Sequence, residues 1–288
     1  ASSIDNDVAN SYNAIYQSVG TPGTTPATSL VLLQAQQKLN EAAAVMSPRY
    51  ATVNPAANAG LVEGMKGLFN PTDTISRQFK NGMMGMGVLG FDEVNMSQSI
   101  KQHTTGAWGT TITVTSTVAT EGQATLGISF TGSSKTWNVG DVFTIASVYA
   151  VNPQTRESTG SLQQFVVTAA ATGSSTATLS ISPAIYTSAN ALATVDSFPQ
   201  ASAVVTMLGS ASSQYAQNLV YHKDAITFAT ADLLLPQGVD MASRQVHNGI
   251  SMRVVRQYDI NNDRLPCRID VLYGFSTIRP QMACRIFG

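Results

Sequence analysis

Charge is scarce in this chain. Asp, Glu, Lys and Arg make up only 11% of its 288 residues and the net charge is -1, so no overall field draws it onto nucleic acid or an anionic membrane. Any partner must be met by local surface. Cysteine is almost absent: Cys267 and Cys284 are too few for a disulfide framework, and both are expected to be reduced, buried, small hydrophobes. No apolar run approaches the roughly 20 residues that cross a bilayer. No basic stretch followed by an apolar core opens the chain, so the sequence predicts a soluble protein without a visible address. What is present is a 43% share of hydrophobic residues, too high for disorder, on a length sufficient for one large domain or two ordinary ones.

Hydrophobic spacing divides the chain. Ile4, Val8, Tyr12 and Ile15 recur at helical spacing almost from the first position, as though the chain began inside a helix. After the turn-rich "GTPGTTPATS", the stretch "LVLLQAQQKLNEAAAVM" sets Leu32, Leu39, Ala42, Ala43 and Met46 on one helical face, and Pro48 closes it. "RYATVN" reads as a short strand, and Pro55 starts a helix through Leu61, Met65 and Leu68. From Gly106 to Leu208 only six charged residues occur, Glu121, Lys135, Asp141, Arg156, Glu157 and Asp196. Six strands are predicted there, "TTITVTSTV", "QATLGISF", "DVFTIASVY", "SLQQFVVT", "STATLSIS" and "SAVVTML", which suits a small barrel or sandwich. Beyond it, "GISMRVVRQY" places Ile250, Met252, Val254 and Tyr258 on one side. "LPCRIDVLYGF" does the same with Leu265, Cys267, Ile269, Val271, Tyr273 and Phe275. The two form a hairpin, to which "MACRIF" is expected to add a third strand.

Three motifs could carry chemistry. Asp259, Asn261 and Asp263 have the spacing that opens a calcium loop. That loop requires glycine at its sixth position and glutamate at its twelfth, where this chain has Arg264 and Asp270. A polar turn between strands is the reading the residues favour. "GMGVLG" matches the dinucleotide fingerprint through Gly85, Gly87 and Gly90 but lacks a preceding strand and a following acid, and is read as a glycine and methionine loop. His103, His222 and His247 fit no metal spacing and are expected on the surface or in packing, and no serine lies in a nucleophile elbow. "NMS" at Asn95 is a chance match to a glycosylation acceptor. No catalytic residue, metal site or cofactor is predicted.

One charge feature remains. From Asp240 onward there are seven arginines, no lysine and four aspartates, seven minus four, or +3. Arginine without lysine favours bidentate pairing with carboxylates. A solvated strand face, salt bridging between subunits and weak contact with a nucleic acid interior all remain open on composition alone.

Longer runs carry a resemblance. "GDVFTIASVYAVNPQTRESTGSLQQFVVTA" (140–169), "NLVYHKDAITFATADLLLPQGVD" (218–240) and "GISMRVVRQYDINNDRLPCRIDVLYGFSTIRP" (249–280) resemble the coat proteins of short-tailed phages of the P22 type. So do "TPGTTP" and "KGLFNPTDTISRQFKNGMMG" (66–85). The resemblance implies an α+β, Hong Kong 97-type major capsid fold with axial and peripheral domains and an inserted six-stranded β-barrel. Residues 1–19 would end the spine helix, 20–105 begin the axial domain, 106–208 form the barrel, and 209–288 return through the axial domain to a peripheral hairpin. The N-terminal arm and extended loop of relatives are absent from this sequence.

The implied function is structural: self-assembly into hexamers and pentamers of an icosahedral shell around packaged double-stranded DNA. Its partners would be other copies, a scaffolding protein, a portal and DNA bound without sequence preference, with no membrane. Assembly in the host bacterial cytoplasm would end in the virion capsid. Arg253, Arg256, Arg264 and Arg268, Asp259 and Asp263 in the hairpin, and Asp141, Arg156 and Glu157 in the barrel are the expected subunit-contact residues. The rival class is a secreted or surface β-rich adhesion protein, which predicts a signal or disulfides.

Overall fold

The computed structural model describes residues 2–65 and 86–287. It divides into two compact units, Ala1–Ala225 with Thr277–Gly288, and Ile226–Ser276. The described residues are mostly β, with few helices. None of those helices is long and apolar enough to cross a membrane.

In the first unit the chain opens with α1 (Ser2–Val8) and a 3-10 turn (Ala9–Ala14), so the helical spacing tightens after two turns instead of running on through Ile15. The strand β1 (Ser18–Val19) follows, then α2 (Ser29–Glu41), which buries Leu32, Ala35 and Leu39. The helix is shorter than its composition predicts. Ala43 takes a left-handed φ of 55°, and Met46, expected on the inner face, is exposed. The buried Arg49 guanidinium donates to the Ala44 and Val45 carbonyls at 2.7 and 2.8 Å, giving this unwound end its hydrogen bonds.

The strand β2 (Arg49–Val53) and the helix α3 (Pro55–Met65) lie where the sequence predicts them. Leu68, Gly85 and the whole run 66–85 lie outside the described residues. The rest of "GMGVLG" is a hairpin: β3 (Met86–Val88), a turn with Leu89 at φ 54° and Gly90 at 79°, then β4 (Phe91–Met96). Two left-handed residues in succession match the twist of flanking strands, which is why glycine is needed here. A helix, which the dinucleotide reading requires, does not follow.

These strands join two from the end of the unit, β15 (Asn218–His222) and β20 (Ala283–Ile286), in a six-stranded sheet of order β1-β20-β15-β2-β4-β3. "MACRIF" therefore belongs to this main sheet and not to the hairpin. Its four strand residues are all buried, so a run that alternates poorly marks a sheet covered on both faces.

Between them lies the barrel. A two-stranded neck, β5 (Gln102–Thr104) against β14 (Gln214–Ala216), carries the chain in and out. The strands in chain order are β6 (Thr110–Val114), β7 (Gln123–Thr131), β8 (Lys135–Trp137), β9 (Val142–Val151), β10 (Ser158–Ala169), β11 (Ala171–Gly173), β12 (Thr176–Ile185) and β13 (Val205–Met207). Six of them form the order β13-β9-β10-β12-β7-β6, and each contains part of one of the six predicted strands. The short pair β8 and β11 was not legible, since three residues leave no period to read. The sheet closes where Val114 N donates to Ala203 O and Ser202 N to Val114 O, both at 2.9 Å, beside the Thr113 and Val204 bridge. Inside, Phe130 meets Trp137 edge-on at 4.7 Å and Phe143 stacks on Phe165 at 5.7 Å.

The second unit is a four-stranded antiparallel sheet of order β16-β19-β18-β17. Its strands are β16 (Ile226–Ala231), β17 (Met241–His247), β18 (Ile250–Arg256) and β19 (Cys267–Thr277).

Candidate functional site

The four-stranded sheet has two chemically different faces, and its register says why. Arg253 of β18 stands opposite Arg244 of β17 and Asp270 of β19, and Val255 stands opposite Ala242 and Arg268. Because side chains alternate, one face collects these arginines and Asp270. The other collects Met252, Val254, Val271, Ile269 and, farther along β19, Tyr273 and Phe275.

On the charged face, Asp270 accepts from Arg253 Nε at 3.1 Å and Arg268 Nε at 2.8 Å. The hydrogen bond from Arg253, opposed by some desolvation and helped by Arg268, holds its carboxyl below the usual carboxylate range. Arg244, on the same face, pairs with Asp232 at 3.5 Å, whereas Arg256, opposite Cys267 and so on the other face, pairs with Asp240 at 3.1 Å. Three of the four hairpin arginines predicted to reach a neighbour thus already hold an aspartate of their own unit. Arg264 is exposed and has no acidic partner among the described residues.

The turn between β18 and β19 carries the calcium-like spacing. Asp259 and Arg264 exchange backbone hydrogen bonds at 2.8 and 3.3 Å, and Asp263 takes a left-handed φ of 48°. Asn261 N and Asn262 Nδ2 donate to the Asp259 carboxylate at 3.1 and 2.7 Å, and these bonds hold it in its charged form below the usual range. Tyr258 donates to Asp263 at 2.7 Å. The acids are spent on a turn, as the residue types favour.

The apolar face is open. Ile269 is 68% exposed, Met252 40% and Phe275 38%, and Phe228 of β16, also exposed, lies 6.0 Å ring to ring from Tyr273. In the whole unit only Ser251 is buried. Cys267 shares the alternation of Ile269 and is exposed, which corrects the expectation of a buried thiol. Cys284 in β20 is buried as predicted, and burial pushes its thiol up to about 12. A contiguous exposed apolar surface on a folded sheet is characteristic of a surface that packs against another protein. The alternation predicted which residues share this face. What it could not reveal is that the sheet's own unit supplies no second layer over them.

The barrel candidates separate. Arg156 and Glu157 sit on the exposed tip of the β9–β10 connection, Arg156 with a left-handed φ of 58°, and neither has an ion-pair partner among the described residues. Asp141 is a correction: it is 1% exposed, and its carboxylate is taken up by its own chain. His103 Nε2 lies 2.8 Å from it, and the backbone amides of Asn138 and Gly106 donate at 2.7 and 3.1 Å. Of the histidines, His103 and His222 are buried and His247 is exposed, within the range predicted for them.

Among the described residues no group of three or more His, Cys, Asp or Glu side chains is gathered as a metal site would need. No curated protein matches the chain. The family model described as P22 coat protein, gene protein 5, matches residues 3–288. On that match over nearly the whole chain, the protein belongs to the P22 coat protein family of bacteriophages, whose role is structural, in the capsid.

Proposed function

We propose that the chain is the major capsid protein of a tailed double-stranded DNA bacteriophage. Copies assemble into hexamers and pentamers of an icosahedral shell that encloses the genome. Family membership over residues 3–288 supports this reading. The observation that carries it is the open apolar face of the four-stranded sheet, a surface suited to burial against a neighbouring copy of the coat protein.

Within this reading the fold is of the Hong Kong 97 type, α+β, although helices are few among the described residues. Residues 20–105 and part of 209–288 form the axial domain. The barrel at 106–208 is the insertion domain, and residues 1–19 with the late hairpin are peripheral. The role is architectural rather than catalytic. Arg156, Glu157 and Arg264 are the foremost contact residues, because they are exposed and hold no ion pair within the described chain. Arg253, Arg256 and Arg268 can reach a neighbour only by competing with their own aspartates, which makes their contribution small. A scaffolding protein and a portal are the assembly partners, the packaged DNA is met without sequence preference, and assembly takes place in the bacterial cytoplasm.

Electron microscopy of the purified coat protein tests the reading. Closed shells with repeating capsomers are expected, and Ile269→Asp is expected to leave folded, unassembled protein. Shells that form normally with Ile269→Asp would remove the sheet face from the account, and a protein that stays monomeric at every concentration would remove the capsid role.

A further inference from the structure

The four-stranded sheet has an open apolar face, and the same unit carries an apolar projection on its opposite side. The connection from β16 to β17 reads "DLLLPQGVD", Asp232 to Asp240. Three leucines in a row belong by residue type in a core. Leu234 is instead 85% exposed and Leu235 46%, the former more than any other large hydrophobic side chain among the described residues.

The charged face holds this loop. Arg253 of β18 pairs with Asp270 and also donates to Leu234 O. Arg244 of β17, on the same face, lies 3.5 Å from Asp232 and donates to Leu233 O at 3.5 Å. Pro236 then fixes one backbone angle and offers no N–H. Both arginines bond backbone carbonyls, so they set the course of the chain while the Leu234 side chain stays in solvent. A loop tied to the charged face cannot cover the open one, because the sheet stands between them.

The two surfaces nevertheless suit each other. The open face presents Ile269, Met252 and Phe275, which have no apolar layer from their own unit. Two exposed leucines supply the kind of surface such a face buries. Charge agrees in sign. The loop from Asp232 to Asp240 has two acids and no base. Asp270, the one acid in the four strands, lies on the charged face, whereas Arg256, its side chain 42% exposed, lies on the open one. A partner of another kind would use one of these surfaces and leave the other in water; a second copy uses both.

We propose that Leu234 and Leu235 of one copy seat on the apolar face of the next copy's four-stranded sheet and so join copies head to tail. The inference rests on the coat-protein reading and names what covers the open face. Each copy gives its leucines to one neighbour and its face to another, a heterologous contact that repeats from copy to copy until rotation closes a ring.

Photo-crosslinking in assembled shells tests it. Benzoylphenylalanine replaces Leu234, and shells are grown from an equal mixture of chains with natural and heavy nitrogen. Adducts should join light chains to heavy ones, map to Ile250–Arg256 or Cys267–Thr277, and run past the dimer to a ladder. Adducts confined to one chain, to another surface of the neighbour or to closed dimers would overturn the proposal. Should the bulky analogue block assembly, Leu234→Asp decides. It should raise the protein concentration needed for shells at least about tenfold, with denaturant unfolding of the unassembled chain unchanged, since Leu234 holds no place in a core. Shells that form at the natural concentration with Leu234→Asp would remove the leucine contact and leave the coat-protein role standing. A natural chain that never forms shells would remove that role, and this contact with it.

Discussion

The barrel and the four-stranded sheet are both antiparallel and both alternate, yet one has a core and the other does not. In the barrel, Leu126, Ile128, Phe165 and Leu179 are fully buried because the sheet curls until its first and last strands meet. In the unit Ile226–Ser276 an equally regular alternation leaves Ile269 two-thirds exposed. Alternation fixes which side chains share a face. Closure or an added layer decides whether that face is buried, and the sheet has neither of its own.

This contrast can be broken most forcefully from the barrel side. Phe165→Ala removes a fully buried ring stacked on Phe143, and should cost about 3–5 kcal/mol in a denaturant titration. Retention of full stability would mean the barrel core is looser than its geometry. Ile269→Asp should change the stability of the unassembled chain by no more than about 0.5 kcal/mol while removing shells from the micrographs. A loss as large as that of Phe165→Ala would make the sheet a covered core after all.

Thiol labelling sharpens the same point without a mutation. Cys267 should react with an aromatic disulfide reagent in the native unassembled chain, and Cys284 only after denaturation, a rate difference of at least about a hundredfold. If neighbours cover the apolar face, Cys267 should also become protected in assembled shells. Equal rates for the two thiols would contradict their burial.

The smallest effect is electrostatic. Hydrogen bonding from Arg253, then Arg268, depresses the Asp270 carboxyl. Its contribution to the sheet is present above the ordinary carboxylate range and lost as pH falls through the depressed value. Asp270→Asn should therefore flatten the acid side of a stability profile and leave a slightly less stable protein near neutrality. A profile parallel to that of the natural chain would show the pair to be idle.

Where a stretch could be read in advance, its period was long enough to see. The strands "QATLGISF" and "DVFTIASVY" have eight or more residues of pattern and reappear in β7 and β9. The strand β17 was missed because "MASRQVH" splits its few apolar residues between both faces of an exposed edge, Met241 on one and Ala242 and Val246 on the other with Arg244 between them. The α2 terminus was overextended because Ala42, Ala43 and Ala44 favour helix locally, whereas the Arg49 guanidinium captures the carbonyls beyond it. At the candidate surface, the members of the apolar face were visible in advance, but the pairing of Arg253 with Asp270 depended on register. The Asp141 site was hidden for a deeper reason. His103 and Asp141 come from different segments of the chain, and no local spacing links them.

The neck formed by β5 and β14 has one more consequence. The chain leaves for the barrel at Thr104 and returns at Gln214, and these two residues stand directly opposite each other. A module of more than a hundred residues thus plugs into its host through two ends one strand spacing apart. Evolution could lengthen, exchange or delete such a module by joining neighbouring ends, leaving the strand-to-strand hydrogen bonds of the main sheet in place and losing only those that Ser18 and Arg285 make to the barrel. Engineers can use the same socket: a foreign domain whose termini lie about 5 Å apart should be accepted there once the host's Ser18 and Arg285, which bond the barrel, are given other partners.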